Sequence, residues 1–204
     1  MLMTRQDRTH RDHRNPDDLD AYIRKMEGRD REDWQRPDEI VRALALKAGD
    51  TVADVGAGPG YFTIRIARAV GPAGHVYAVD VVPEMVAVLR ERVDRAGVGN
   101  VTPVLAKDGD PCLPAESCDL VLIVDTFHHF PDAPAYLRLL ARKLKPGGRI
   151  VNVDFHRREM PVGPPVEHKV AREDFLAAAR EAGLAVVEEK DFLPYQYFIA
   201  LRPT

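Results

Sequence analysis

The chain has 204 residues, 45% hydrophobic and 30% charged, which is enough for one soluble domain with a sizeable core and calls for no second one. A formal net charge of −3 gives no general basic field to draw nucleic acid or anionic lipid, which tilts any partner towards a small molecule. No apolar run approaches the roughly 18 residues of a membrane helix, and residues 1–8 lack the apolar core of a signal peptide, so the expected location is cytoplasmic, with no membrane partner.

Residues 1–16 carry Arg5, Arg8, Arg11, Arg14, His10 and His13 with almost no apolar periodicity, and are expected to form a mobile N-terminal arm. His10 and His13 lack a supporting acid or cysteine cluster, and Cys112 and Cys118 alone cannot make a four-thiolate zinc site, so no metal is expected. The remainder, 17–204, reads as a single domain with an N-terminal segment over 17–36. Leu19, Tyr22, Ile23 and Met26 fall at helical spacing and predict a short helix over 17–27, ended by Gly28. Trp34-Gln35-Arg36-Pro37-Asp38-Glu39 then reads as a second helix start, with an early proline and acids in the first turn.

The apolar run Thr51-Val52-Ala53 leads into Asp54-Val55-Gly56-Ala57-Gly58-Pro59-Gly60-Tyr61, and a helical pattern follows. Glycines at alternate positions let a strand-to-helix turn bend sharply and let a ligand approach its backbone. Asp80 ends the next apolar run, where an acid suits ribose hydroxyls. A dinucleotide fingerprint uses such an acid too, but needs its third glycine where Tyr61 stands, and Asp54 would repel a pyrophosphate while attracting a cationic or zwitterionic ligand. The turn therefore favours S-adenosylmethionine over NAD.

Further along, a helix closes at Gly71-Pro72, and another runs from Pro83-Glu84 to Gly97. The strand over 101–106 contains Pro103, which cannot donate to a ladder and demands an edge position. The strand over 119–125 carries a continuous apolar run, Leu120 to Val124, as in a central strand covered on both faces. A helix over 132–144, a strand over 149–154, a helix near 172–182 and a hairpin of 184–192 with 197–201 complete the pattern. The long segment 155–171 reads either as an acceptor lid or as a packed surface loop.

Taken in order, the glycine turn, Asp80, Cys118-Asp119-Leu120-Val121-Leu122-Ile123-Val124-Asp125 and Leu144-Lys145-Pro146-Gly147-Gly148-Arg149-Ile150 resemble the class I S-adenosylmethionine-dependent methyltransferases over about 37–201. His128-His129-Phe130 brings the chain nearest to their small-molecule group. The resemblance implies an α/β, Rossmann-like seven-stranded sheet of order 3-2-1-4-5-7-6, last strand antiparallel, with helices on both faces. It implies S-adenosylmethionine as cofactor and S-adenosylhomocysteine as product. Gly56, Ala57, Gly58, Gly60 and Tyr61 would lie around the methionine end, with Asp54 towards its ammonium. Asp80 would take the ribose, Val81 or Val82 and Met85 would pack on adenine, and Asp108, or else Asp110, would lie near the adenine amine.

Segment 17–36 would cap the cofactor, with Trp34 and Tyr22 serving the cap or plain packing. Asp125 and His128 would point to the reacting centre, His128 accepting a proton or else merely capping a backbone group, and at most one of His128 and His129 would face the site. His156, Glu167, His168 and Tyr195 are further candidates from the surrounding loops. Arg138, Arg142, Lys143 and Lys145 read as a solvated helix face and not as an RNA path. The expected activity is methyl transfer to a small molecule. A protein or RNA acceptor, or a non-catalytic S-adenosylmethionine binder, are the alternatives, and the oligomeric state is left open.

Overall fold

Pro103 sits on an outermost strand, where its missing N–H costs no ladder bond. In the computed structural model, which describes residues 19–26, 28, 30–107 and 109–204, this strand begins a seven-stranded sheet. The expectations for the arm over 1–16 and for Asp108 fall outside the described residues, as does the side chain of Tyr22.

The elements are α1 (Leu19–Met26), α2 (Asp30–Gln35), α3 (Pro37–Ala43), β1 (Thr51–Val55), α4 (Thr63–Val70), β2 (His75–Asp80), α5 (Pro83–Ala96), β3 (Val101–Leu105) and β4 (Cys118–Val124). There follow a 3-10 turn at Phe127–His129, α6 (Ala133–Ala141), β5 (Leu144–Phe155), a second 3-10 turn at Val166–His168, α7 (Arg172–Glu181), β6 (Leu184–Lys190) and β7 (Gln196–Pro203). The sheet order is β3-β2-β1-β4-β5-β7-β6. The pairs from β3 to β5 are parallel, and β7 runs antiparallel to both β5 and β6.

Both faces of β4 are buried, which explains its unbroken apolar run. Val121 and Ile123 face a core with Leu137 and Leu140 of α6 and Phe175 of α7, while Leu120 and Leu122 face Ile40 of α3 and Ile66 of α4. Each such side chain removed from water contributes about 1.5–3 kcal/mol. The sheet is thereby fixed centrally, and the ends of its strands are free to carry polar groups.

The N-terminal segment differs from the sequence reading in one respect: the helix expected to start at Trp34 is two helices. Pro37 opens α3, and the residue before a proline avoids the right-handed helical region; Arg36 stands at φ +50° and separates α2 from α3. Trp34 consequently lies inside α2, its ring 5.4 Å from that of Phe155. The hairpin strands also shift slightly, to Leu184–Lys190 and Gln196–Pro203, with 191–195 as the connection.

Beyond Phe155, the loop packs back on that same ring. Gly163 lies so close that a Cβ there would stand 2.6 Å from the ring of Phe155, and buried Lys169 donates to the Arg158 carbonyl at 2.8 Å.

Candidate active site

At the carboxyl edge of the sheet, where open α/β folds bind ligands, each of four strands delivers one aspartate: Asp54 from β1, Asp80 from β2, Asp125 just after β4 and Asp154 from β5. The glycine turn lies among them. Gly56 has φ +78°, and a Cβ there would stand 2.2 Å from Thr126 Oγ1, so neither the backbone nor the space admits a side chain. The amides of Gly56 and Ala57 donate to the Val79 carbonyl at 2.8 and 3.0 Å, which fastens the turn to β2. Gly60 has φ +89°, and a Cβ there would meet Leu89 of α5 at 2.7 Å.

Asp80 joins the turn to the next helix. Its Oδ2 accepts from the Gly58 amide at 2.9 Å and its Oδ1 from the Val82 amide at 3.0 Å. Burial pushes this carboxyl up, while the bonds from Val82 and Gly58 hold it down. Each oxygen keeps a further lone pair for a ligand hydroxyl.

Asp54 is buried and accepts from the Thr63 hydroxyl at 2.6 Å. Burial, with Asp80 adding repulsion, pushes its carboxyl from 3.8 up to about 6 against the Thr63 bond. The folded state thus holds the proton more tightly than the unfolded chain does. The contribution of this group to stability is complete below pH 3.8 and is lost as pH rises through about 6. Against this background, Asp54→Asn should gain on the wild type between about pH 4 and pH 7, by about 3 kcal/mol at most. Urea unfolding of both proteins across that range checks it; a pH-independent difference would show that ionised Asp54 carries no burial cost.

The N-terminal segment closes over this edge. Ile23 of α1 is buried against Val82 and Met85 at the start of α5, beside the exposed side chain of Val81. On α2, Glu32 accepts from the Tyr61 hydroxyl at 2.8 Å and pairs with Arg65 at 2.5 Å. The guanidinium groups of Arg31 and Arg65 lie 4.3 and 4.5 Å from the centre of the Tyr61 ring. Burial and the Glu32 carboxylate raise the Tyr61 hydroxyl above its ordinary range, so it stays a hydrogen-bond donor.

Below the cap, Asp125 takes φ +51°, a region that aspartate tolerates better than most residues. Its carboxylate is held from two distant elements. Gln35 of α2 donates to Oδ2 at 2.9 Å and Gln196 of β7 to Oδ1 at 2.6 Å, with Arg31, itself bonded to Gln35, 3.7 Å from Oδ2. Burial first, and then the charge of Asp154, push Asp125 up, opposed by Arg31, the Gln35 bond and His128.

His128 stands on the 3-10 turn after β4, its ring 4.0 Å from that of His129, and its Nδ1 lies 3.8 Å from Asp154 Oδ2. Neither atom has a hydrogen-bond partner among the described residues, so the backbone-capping role considered for His128 finds no bond at Nδ1.

The remaining candidates spread outward. His156 lines a cavity of about 300 Å³ with Glu189, Lys190, Asp191, Gln196 and Tyr197, and burial pushes its imidazole down. Glu167 and His168 lie on the second 3-10 turn, and Tyr195 gives its carbonyl to the His156 amide at 3.0 Å. Asp110 spends one carboxylate oxygen on the Cys112 amide at 2.8 Å. Three of the basic residues set aside earlier are tied to the protein itself: Arg138 to the Glu181 carbonyl, Lys143 to the Leu113 carbonyl and Lys145 to Asp119.

The family model of a methyltransferase domain matches residues 52–148, from β1 to the turn of β5. A crystal structure of a SAM dependent methyltransferase from Aquifex aeolicus superposes with a TM-score of 0.85 at 28% identity, covering 90% of this chain and 97% of that one. Over residues 52–148 the chain carries a methyltransferase domain, and its fold is that of the class I S-adenosylmethionine-dependent methyltransferases.

Within that family, the protein-L-isoaspartate O-methyltransferase of Ignicoccus hospitalis is 35% identical over 112 residues, 55% of this chain and 50% of that protein. The demethylmenaquinone methyltransferase of Listeria welshimeri is 31% identical over 128 residues, 63% of this chain and 53% of that protein. The chain therefore spans about half the length of these curated relatives.

The family's cofactor is S-adenosylmethionine, with S-adenosylhomocysteine as its product, and the glycine cradle with acids on both sides fits that cationic, ribose-bearing molecule. Sequence reasoning missed Arg31, Gln35, Gln196 and Asp154. For Asp154 a signal was present, since an acid ends this strand as Asp125 follows β4; isolated glutamines give none.

Proposed function

We propose that the protein transfers a methyl group from S-adenosylmethionine to a small-molecule acceptor. The observation that carries this reading is the glycine turn, closed to side chains at Gly56 and flanked by Asp54 and Asp80. Gly56, Ala57, Gly58 and Gly60 present backbone to the methionine end, near Tyr61, and Asp54 compensates its ammonium. Asp80 takes the ribose hydroxyls, and Val81 and Met85 border the adenine, with Asp108 or Asp110 towards its amine. S-adenosylmethionine supplies a methyl carbon on a sulfonium, an already activated leaving group. The protein therefore has mainly to align the acceptor, exclude water and hold a proton. Capping by α1 and α2 serves the second task, and His128 the third.

Likeness to a demethylmenaquinone methyltransferase supports a small acceptor. No helix among the described residues is long and apolar enough to cross a membrane. The formal net charge of −3 disfavours a nucleic-acid acceptor. Likeness to a protein-L-isoaspartate O-methyltransferase keeps a protein acceptor as the second reading.

Incubating the protein with methyl-labelled S-adenosylmethionine and cell extract, then separating by size, decides between them. Label in the low-mass fraction is expected. Label on protein or RNA would move the acceptor class, and no label in any fraction would leave a binder. Asp80→Ala should weaken S-adenosylhomocysteine binding by about 10- to 150-fold, the loss of about 1.5–3 kcal/mol for hydrogen bonds to a charged group. Calorimetric titration of the folded variant checks this, and unchanged affinity would remove Asp80 from the site.

A further inference from the structure

Asp154 is 1% exposed, and among the described residues its Oδ1 accepts from the adjoining Phe155 amide alone, at 2.8 Å. A buried carboxylate with a spare oxygen is costly unless something answers it. The group that faces the spare Oδ2 is His128 Nδ1, at 3.8 Å, and Nδ1 is likewise buried and without a hydrogen-bond partner among the described residues. Were Nδ1 unprotonated, two electron pairs would face each other in a site closed to water. With the proton on Nδ1, the same separation is attractive and needs only a slight ring movement to become a hydrogen bond, as catalytic pairs often do when substrate binds.

We propose that Asp154 is a positioning residue for His128: its Oδ2 keeps the neutral imidazole protonated at Nδ1, which leaves Nε2 unprotonated and able to take the acceptor's proton. This rests on the reading of the protein as a methyltransferase with His128 as base. The balance is simple. The acceptor atom's lone pair forms the bond to the methyl carbon, the carbon–sulfur pair remains on sulfur as a neutral thioether, and the acceptor's proton passes to His128 Nε2. The resulting imidazolium is then answered by the Asp154 carboxylate.

Asp125 would also attract a charged His128, but among the described residues neither it nor any other group bonds to Nδ1. Asp125 already accepts from both Gln35 and Gln196, and Tyr197, which receives Asn152 Nδ2 at 3.4 Å, is held as a neutral phenol by burial and the nearby Asp154. The His129 ring is tilted by 45° to that of His128, and Nδ1 has no hydrogen-bond partner among the described residues. Asn152 Oδ1 is also buried and unpartnered, but its own amide group is engaged with Tyr197 and its oxygen cannot receive charge as a carboxylate can.

The test is a spectrum. Long-range proton–nitrogen correlation of ¹⁵N-histidine-labelled protein at about pH 8.5, two pH units above an ordinary imidazole, reports which ring nitrogen carries the proton. His128→Gln identifies the signal. The wild type is expected to show the Nδ1–H form for His128, and Asp154→Ala the Nε2–H form that free imidazole prefers, with affinity for S-adenosylhomocysteine unchanged. An Nε2–H form in the wild type would overturn the proposal, and it does so even where Asp154→Ala fails to fold. An unchanged tautomer in the folded variant would overturn it as well. Failure of the wild type to bind S-adenosylhomocysteine would instead defeat the methyltransferase reading, so the two failures are separable.

Discussion

Alanine in place of His128 is expected to lower methyl transfer by about 10²–10⁴-fold while leaving S-adenosylhomocysteine affinity close to that of the wild type. The split follows from position. His128 lies on the turn after β4 facing Asp154, whereas the glycine turn and Asp80, which are proposed to hold the cofactor, belong to β1 and β2, with Gly56 against Thr126. Rates across pH 5 to 9 with the acceptor identified by labelling give the measurement, over a span chosen to bracket an ordinary imidazole near 6.5. A parallel loss of cofactor affinity would place His128 in the cofactor site, and full activity at every pH would return it to a structural role.

Phe175→Ala is expected to cost about 3–5 kcal/mol, a fall in melting temperature of about 6–20 °C for a chain of this size. Phe175 is fully buried, and its ring meets Phe127 edge-on at 4.9 Å and stacks on Tyr197 at 5.9 Å. Those two neighbours carry the site: Phe127 begins the turn that holds His128, and Tyr197 follows Gln196, which fixes Asp125. The cavity left by the ring should therefore loosen the acceptor side before the glycine turn, which packs on other elements. Calorimetric melting checks the first effect. Retained S-adenosylhomocysteine binding with reduced turnover checks the second, and an unchanged melting temperature would show that the aromatic cluster is not what supports α7.

The glycine turn and the sheet around it were legible in the chain because each rests on a local rule. Pro103 can only lie at an edge, the apolar run before Asp125 can only be covered on both sides, and alternate glycines before a helix pattern make a turn. What escaped is the ring of polar groups beneath the cap. Gln35 and Gln196 are 161 positions apart and meet only because α2 folds over the end of β7, so no window of sequence contains their partnership with Asp125. Arg31 was hidden for the same reason. Asp154 was visible as a residue but not as the partner of His128, since that pairing depends on how the turn after β4 leans towards β5. The break at Arg36, just before Pro37, was open to a stricter reading of the residue before a proline.

A glycine turn between Asp54 and Asp80 suits a cationic adenosine ligand and would repel the pyrophosphate of a dinucleotide. Calorimetric titration of the intact protein with S-adenosylmethionine, S-adenosylhomocysteine and NAD tests it most directly. Saturable binding of the first two at one site per chain, and none of NAD, is expected. Binding of NAD, or of neither sulfur ligand, would contradict it.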